Sequence, residues 1–290
     1  MSKVLALYNP LSGTRDGEQC VDVLRKYYPD QELLGRDITT VDSFERLLQE
    51  QPEDCEIVIC GGDGTLNRFV NQTYRMELKH RVSYFPTGSG NDFLRDLGKT
   101  AQDGPVRIND YIRNLPCVSV NGKTYRFLNG VGYGIDGYCC EVGEKLRKQG
   151  KKPDYTGIAI KGLLFHYQST NAVVTVDGVE HRYKRVWIAP TMHGRYYGGG
   201  MMAAPTQVRN SPDGELSLLV MHKLGRLGIL CVFPSIFKGK HINHSSAAVL
   251  HKGHDITVTF DRPVTLQIDG EVITNVSGYH AYSRVPVKSR

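Results

Sequence analysis

Three short apolar runs each end in a glycine-rich stretch. Val4–Tyr8 leads into Asn9-Pro10-Leu11-Ser12-Gly13, Ile57–Cys60 into Gly61-Gly62-Asp63-Gly64-Thr65-Leu66-Asn67, and Val82–Phe85 into Pro86-Thr87-Gly88-Ser89-Gly90-Asn91-Asp92-Phe93. Glycine tolerates positive φ and lets backbone N–H groups approach a ligand without a Cβ in the way. A helix starting just beyond such a turn adds unpaired N–H groups and a partial positive charge, which suits phosphate. One turn of this kind is only a turn. Three of them after neighbouring strands of one sheet converge on a single edge and predict a phosphate cradle.

The polar residues narrow the chemistry. None of these three stretches reads G-x-G-x-x-G or G-x-x-x-x-G-K-[ST], so none is a Rossmann dinucleotide fingerprint or a P-loop. No lysine follows the glycines to neutralise phosphate, and Asp63 stands there instead. A carboxylate beside a polyphosphate is repulsive unless a divalent cation lies between them, so Mg²⁺ is expected. Phosphoryl transfer needs little beyond a cradle, a metal and a base near the attacking hydroxyl. Asp-Gly occurs seven times, at 16, 63, 103, 136, 177, 213 and 269, and most of these must be turns.

Positioning these residues requires an alternating scaffold. Val4–Tyr8, Ile57–Cys60 and Val82–Phe85 read as buried strands. Glu18–Tyr28, with Cys20, Val23, Leu24 and Tyr27 on one face, reads as a helix. So do Ser43–Gln51, with Asp42 and Glu45 at capping-box spacing, and Thr65–Thr73. Such alternation predicts a parallel sheet covered by helices, with ligands at the carboxyl ends of its strands. Beyond residue 115 the texture changes to β-rich runs around Asn121-Gly122, Asp177-Gly178 and Asp269-Gly270, which are hairpin signals for an antiparallel second half. A helical insert at about 138–168 interrupts it. The division expected is 1–115 for the nucleotide-binding α/β domain and 116–278 for a β-rich acceptor domain, with 279–290 left open to rejoin the first.

Taken together, GGDGT at 61–65, PTGSGNDF at 86–93 and the opening Asn9–Gly13 resemble the diacylglycerol kinase catalytic-domain family, soluble bacterial lipid kinases related to sphingosine and ceramide kinases. The resemblance continues through GVGYGID at 130–136, GRYYGGGMMAAP at 194–205, PDGEL at 212–216 and DGE at 269–271, so it spans nearly the whole chain. GGDGT alone is shared with NAD kinases. The resemblance implies an NAD-kinase/phosphofructokinase-like α/β N-terminal domain and a mostly antiparallel β-sandwich C-terminal domain. It implies ATP and Mg²⁺ as cofactors and transfer of the γ-phosphoryl group to a lipid hydroxyl of diacylglycerol-like type. ATP contacts are implied at Asn9, Pro10, Ser12, Gly13, Thr39 or Thr40, Gly61, Gly62, Asp63, Gly64, Thr65 and Asn67, and in the third loop at Gly88, Ser89, Asn91 and Asp92. Mg²⁺ is implied at Asp213 with backbone groups of Asn210 and Glu215. Glu271 is implied as the proton acceptor, with Asp63 and Asp269 as its catalytic companions. Where relatives often carry Glu after the Asn67 position, Arg68 stands here.

Charge and cysteines bound the setting. Residues 1–140 carry 16 basic and 19 acidic side chains, and residues 141–290 carry 20 and 11. The second half is therefore the candidate for an anionic surface. EVGEKLRKQGKK at 141–152, followed by the apolar-aromatic YTGIAIKGLLFHY at 155–167, has the composition of an interfacial segment. Seven cysteines without C-x-x-C spacing argue against a disulfide framework and fit a reducing cytoplasm. The partners expected are ATP, a lipid acceptor and, transiently, the inner face of the membrane. No nucleic acid is expected, and a homodimer is left open. Two other readings stand beside the lipid kinase: a soluble-metabolite kinase of the NAD-kinase type, and a catalytically inactive nucleotide-binding regulator.

Overall fold

The computed structural model describes residues 3–10, 17–88 and 90–283. The chain divides into two compact units, Met1–Leu115 and Pro116–Arg290.

In the first unit the elements run β1 (Lys3–Tyr8), α1 (Gly17–Arg25), β2 (Glu32–Asp37), α2 (Phe44–Gln49), β3 (Glu56–Gly61), α3 (Asp63–Thr73), β4 (Val82–Pro86), α4 (Asp92–Asp96), β5 (Val106–Arg107) and α5 (Asn109–Ile112). The sheet order is β2-β1-β3-β4-β5, parallel except for the short β5. Strands β1, β3 and β4 are buried almost throughout, as the continuous apolar runs require of a parallel sheet covered on both faces. One local expectation is corrected. Ser43, not Asp42, caps α2, its hydroxyl accepting the Arg46 N–H at 3.3 Å. Strand β2 escapes the sequence pattern because it is an edge strand, in which Leu33 alone is buried.

The second unit continues with β6 (Cys117–Val120), β7 (Lys123–Arg126), β8 (Gly130–Tyr133), α6 (Ile135–Lys148), α7 (Tyr155–Lys161), a π turn at Gly162–His166, β9 (Thr170–Val176), β10 (Val179–Val186), β11 (Thr191–Met192), β12 (Leu216–Met221), α8 (Arg226–Val232), β13 (Ala248–Gly253), β14 (Asp255–Ile268) and β15 (Glu271–Tyr282). Asn121-Gly122, Asp177-Gly178 and Asp269-Gly270 each join two antiparallel strands, and all six residues have positive φ, as two-residue hairpin loops require. Strand β14 holds the sandwich together by changing partners. Ile256–Phe260 pair with β9 and Leu266–Ile268 with β8, while an irregularity between Thr259 and Val264 turns the strand from one layer to the other.

Val131, Tyr133, Leu218, Val258 and Leu266 are fully buried in the core of this unit. Trp187, the chain's single tryptophan, is 3% exposed and donates its indole N–H to Leu224 O at 2.9 Å. Tyr279 pairs with Val258 and residues 280–282 with Cys117–Ser119, all inside this same sheet, and 284–290 lie outside the described residues.

Candidate active site

Asn9 follows β1, and the second and third glycine stretches follow β3 and β4; these three strands are adjacent, so the segments share the carboxyl edge of one sheet. Chain order places the switch there: from β1 the sheet grows to β2 on one side and to β3 on the other, leaving a crevice at the strand ends. Helix α3 opens directly from the second stretch. Its N-cap, Gly62, has no side-chain oxygen to offer, so the first N–H groups of an eleven-residue helix face the loop without a side-chain cap.

Backbone-to-backbone contact holds the loops together. Gly61 O accepts the N–H of Thr87 at 2.9 Å, of Gly88 at 3.3 Å, and the Tyr84 hydroxyl at 3.0 Å. A Cβ on Gly88 would lie 2.6 Å from Gly62 Cα, so only glycine permits this approach. Asn9 Nδ2 donates to Thr65 Oγ1 at 2.8 Å, tying the first stretch to α3. Asn91 takes a left-handed conformation (φ 49°) and donates its amide to Gly88 O at 2.8 Å. Gly64 lies in the first turn of α3, and buried Asn67 receives the Asn71 amide. Arg68 is exposed on the other face. Beyond β2, on the same edge, Thr39 Oγ1 donates to Asp37 Oδ1 and Thr40 Oγ1 to Asp37 O. Pro10 is exposed, and Ser12, Gly13 and Ser89 lie outside the described residues.

Asp63 has a different task from the one its position suggests. Its Oδ2 accepts the Asp92 N–H at 2.7 Å and its Oδ1 the Phe93 N–H at 3.2 Å. With both oxygens committed to the start of α4, Asp63 fastens the third loop to the second, and Mg²⁺ is not needed to explain a carboxylate there.

In the second unit Asp269 is likewise a fastening. Its buried carboxylate accepts the N–H of Leu128 at 2.5 Å, of Asn129 at 2.8 Å and of Gly130 at 3.0 Å. Asn129 is gripped from the other side. Arg209 donates to Leu128 O and to Asn129 Oδ1, and the N–H groups of His193 and Gly194 donate to Asn129 O. Asp269, Asn129 and Arg209 thus tie the DGE hairpin to the turn that carries Asn210. Glu271, first residue of β15, is exposed. Arg209 and Asn129 have no motif signal of their own; only proximity to Asn210 and to GVGYGID hinted at them.

The 210–215 turn presents oxygen donors only. Asn210 has φ 56°, and exposed Asp213 accepts the Glu215 N–H at 3.2 Å. The nearby Ser211 hydroxyl, and then that N–H, hold the Asp213 carboxyl below its ordinary range. Glu215 is held by Lys252 at 2.9 Å, and its carbonyl accepts the Gln207 amide. Among the described residues no group of three His, Cys, Asp or Glu is arranged to hold a metal.

Asp136, in the first turn of α6, is buried with no well-formed hydrogen bond to its carboxylate. Burial raises its pKa to about 6, and the Gly137 and Asp136 N–H groups, Tyr197 and Gln267 nearby restrain the rise. The native state therefore holds a proton that the unfolded chain has released between about pH 4 and 6, and stability falls as pH rises through that window. Asp136→Asn is expected to leave stability nearly unchanged near pH 4 and to raise it by about 3 kcal/mol at pH 8. Urea denaturation at the two pH values measures this, and equal effects at both would exclude it.

Residues 3–115 match the diacylglycerol kinase catalytic domain, and residues 129–285 match the YegS C-terminal NAD kinase beta sandwich-like domain. The chain belongs to the diacylglycerol kinase family of lipid kinases. It is 25% identical over 282 residues to a Bacillus subtilis protein named diacylglycerol kinase, covering 93% of this chain and 90% of the relative. A diacylglycerol kinase of Mycobacterium tuberculosis is 24% identical over 263 residues, covering 83% of this chain and 80% of that one. The fold is shared with a crystal structure of a diacylglycerol kinase from Bacillus anthracis, at TM-score 0.61 and 19% identity over 97% of this chain and 93% of that one.

Proposed function

We propose that this chain is an ATP- and Mg²⁺-dependent kinase that phosphorylates a lipid hydroxyl. The observation that carries the reading is the pair of glycine loops at the ends of β3 and β4, interlocked by Gly61, Gly88 and Asp63 beside the uncapped start of α3, with Asn9 at the end of β1 bonded to Thr65. Backbone N–H groups in that arrangement suit the phosphates of ATP without a lysine. The acceptor hydroxyl attacks the γ-phosphorus, the bond from that phosphorus to the β–γ bridging oxygen breaks, ADP leaves, and Glu271 takes the hydroxyl proton. Exposure at the head of a hairpin leaves its carboxylate accessible.

Oxygen-only donors suit a hard cation such as Mg²⁺. Asp213 is the carboxylate that would hold it, helped by the Asn210 carbonyl, since the Glu215 side chain is occupied by Lys252. When bound, the ion would neutralise charge developing on the phosphoryl group. A single carboxylate implies a ligand shell completed by water and phosphate, which is ordinary for Mg²⁺.

The test is phosphorylation of a panel of diacylglycerol, phosphatidylglycerol and sphingoid bases in detergent micelles, with ADP release and product mass as readouts. Glu271→Gln is expected to lower kcat at least about a hundredfold with little change in the KM for ATP. Asp213→Ala is expected to raise the Mg²⁺ concentration for half-maximal rate about tenfold. No ADP above background with any lipid, or phosphorylation of NAD instead, would overturn the assignment.

A further inference from the structure

A helix in a folded domain ordinarily buries one face, and α7 does so only in part, through half-buried Ile158 and Ala159. Its sequence, YTGIAIK, is largely apolar, yet none of its residues is buried; Tyr155 is 43% and Ile160 46% exposed. The π turn that follows leaves Phe165 70% exposed, and α8 leaves Leu227 75% exposed. These are not scattered positions. Arg226 reaches from α8 to donate to Leu163 O in the π turn at 2.5 Å, so the turn and helix that carry Phe165 and Leu227 are packed together.

The charges around them are predominantly positive. Lys145 and Lys148 are spent on Glu141 and Glu144, both at 2.6 Å. Arg147, Lys151, Lys152 and Lys161 form no ion pair among the described residues. Asp154 is committed to capping α7 through the Gly157 N–H. The basic run alone, which the sequence singles out, is thus partly neutralised; the residual positive charge lies on Lys161 of α7 and on the residues that lead into that helix. His166 and Tyr167, next to Phe165, also line a cavity of about 290 Å³ with Tyr138, Arg262 and Thr265.

We infer that α7, the π turn and α8 form a docking face for an anionic bilayer, with Phe165 and Leu227 as its two inserting side chains. The inference rests on the lipid-kinase reading for its purpose but not for its evidence. Protruding apolar side chains beside uncompensated cations match acyl chains beneath anionic headgroups. A second copy of the chain is the poorer occupant, because a two-fold contact would set Arg147, Lys151, Lys152 and Lys161 against themselves. Docking there brings the cavity beside Phe165 to the level of the headgroups.

The experiment is co-sedimentation with phosphatidylcholine vesicles, with and without phosphatidylglycerol. The parent protein is expected to bind only the anionic vesicles, and less as salt rises. Phe165→Asp and Leu227→Asp are each expected to weaken binding at least about tenfold, and the triple change Lys151→Glu, Lys152→Glu, Lys161→Glu to abolish the phosphatidylglycerol preference. Unchanged melting temperatures exclude misfolding. Phe165→Trp provides a second reading: its emission should shift to the blue on adding anionic vesicles, against a Trp187 background that is already buried. Binding unaffected by the aspartate changes, or a dimer in the parent that those changes dissociate, would overturn the proposal. Activity in detergent micelles should survive in all variants. Its absence in the parent as well would overturn the lipid-kinase reading and leave the docking face standing.

Discussion

Asp269→Ala is expected to melt the second unit roughly 10 °C below the parent protein. The mutation leaves the N–H groups of Leu128, Asn129 and Gly130 without their shared acceptor in a buried setting. Hydrogen bonds to a charged group are worth about 1.5–3 kcal/mol each, and partial relaxation of the loop brings the expected total to about 3 kcal/mol. Trp187 is the only tryptophan and lies in this unit, so its fluorescence reports the transition. Asp269→Asn should fall between the two, since its amide retains one acceptor oxygen. Kinase activity should drop along with stability, because Glu271 stands two residues away in the same hairpin. An unchanged melting temperature would mean that the three contacts contribute nothing net.

Asp63→Ala acts on the other unit and through a different quantity. Losing the acceptor of the Asp92 and Phe93 N–H groups releases the third glycine loop from the second. A displacement of about 1 Å in a phosphate cradle can cost about a hundredfold in rate, and that is the expected fall in kcat/KM for ATP. The Mg²⁺ midpoint separates the two roles Asp63 could have. As a fastening it leaves that midpoint where it was, whereas as a metal ligand its removal would shift it about tenfold or more. The expected result is no shift, in contrast to Asp213→Ala.

The sequence made the scaffold legible wherever one signal dominated. Apolar runs that end in glycine mark β1, β3 and β4, and Asn-Gly or Asp-Gly between β-rich runs marks hairpins, because only a few residue types tolerate φ near +50° twice in succession. Strand β2 was illegible for the opposite reason: an edge strand with one buried side chain carries almost no pattern.

At the candidate site the motifs single out residues by type, but the contacts several of them make differ from what residue type suggests. A carboxylate reads as chemistry in a sequence. In the fold, Asp63 and Asp269 use their oxygens on backbone N–H groups of segments far along the chain, and spacing cannot reveal such partners. Arg209 and Asn129 were missed because their importance lies wholly in those long-range contacts. The protruding Phe165 and Leu227 were invisible in the same way, since exposure is decided by what fails to pack against a side chain.

The contact between Asp269 and the 128–130 loop also has a consequence for how the chain is made. Its partners are separated by 140 residues, and β15 additionally pairs with β6, joining Tyr282 to Cys117. The first unit, by contrast, is contiguous and complete by residue 115. During synthesis at roughly 5–20 residues per second it can close while the remainder is still being assembled. The second unit must wait about ten seconds or more, with one edge of β6 and one edge of β8 unpaired, for the hairpin that completes it. Ribosome-bound chains stalled shortly after residue 250 should therefore expose a folded amino-terminal half and a protease-sensitive, chaperone-dependent remainder.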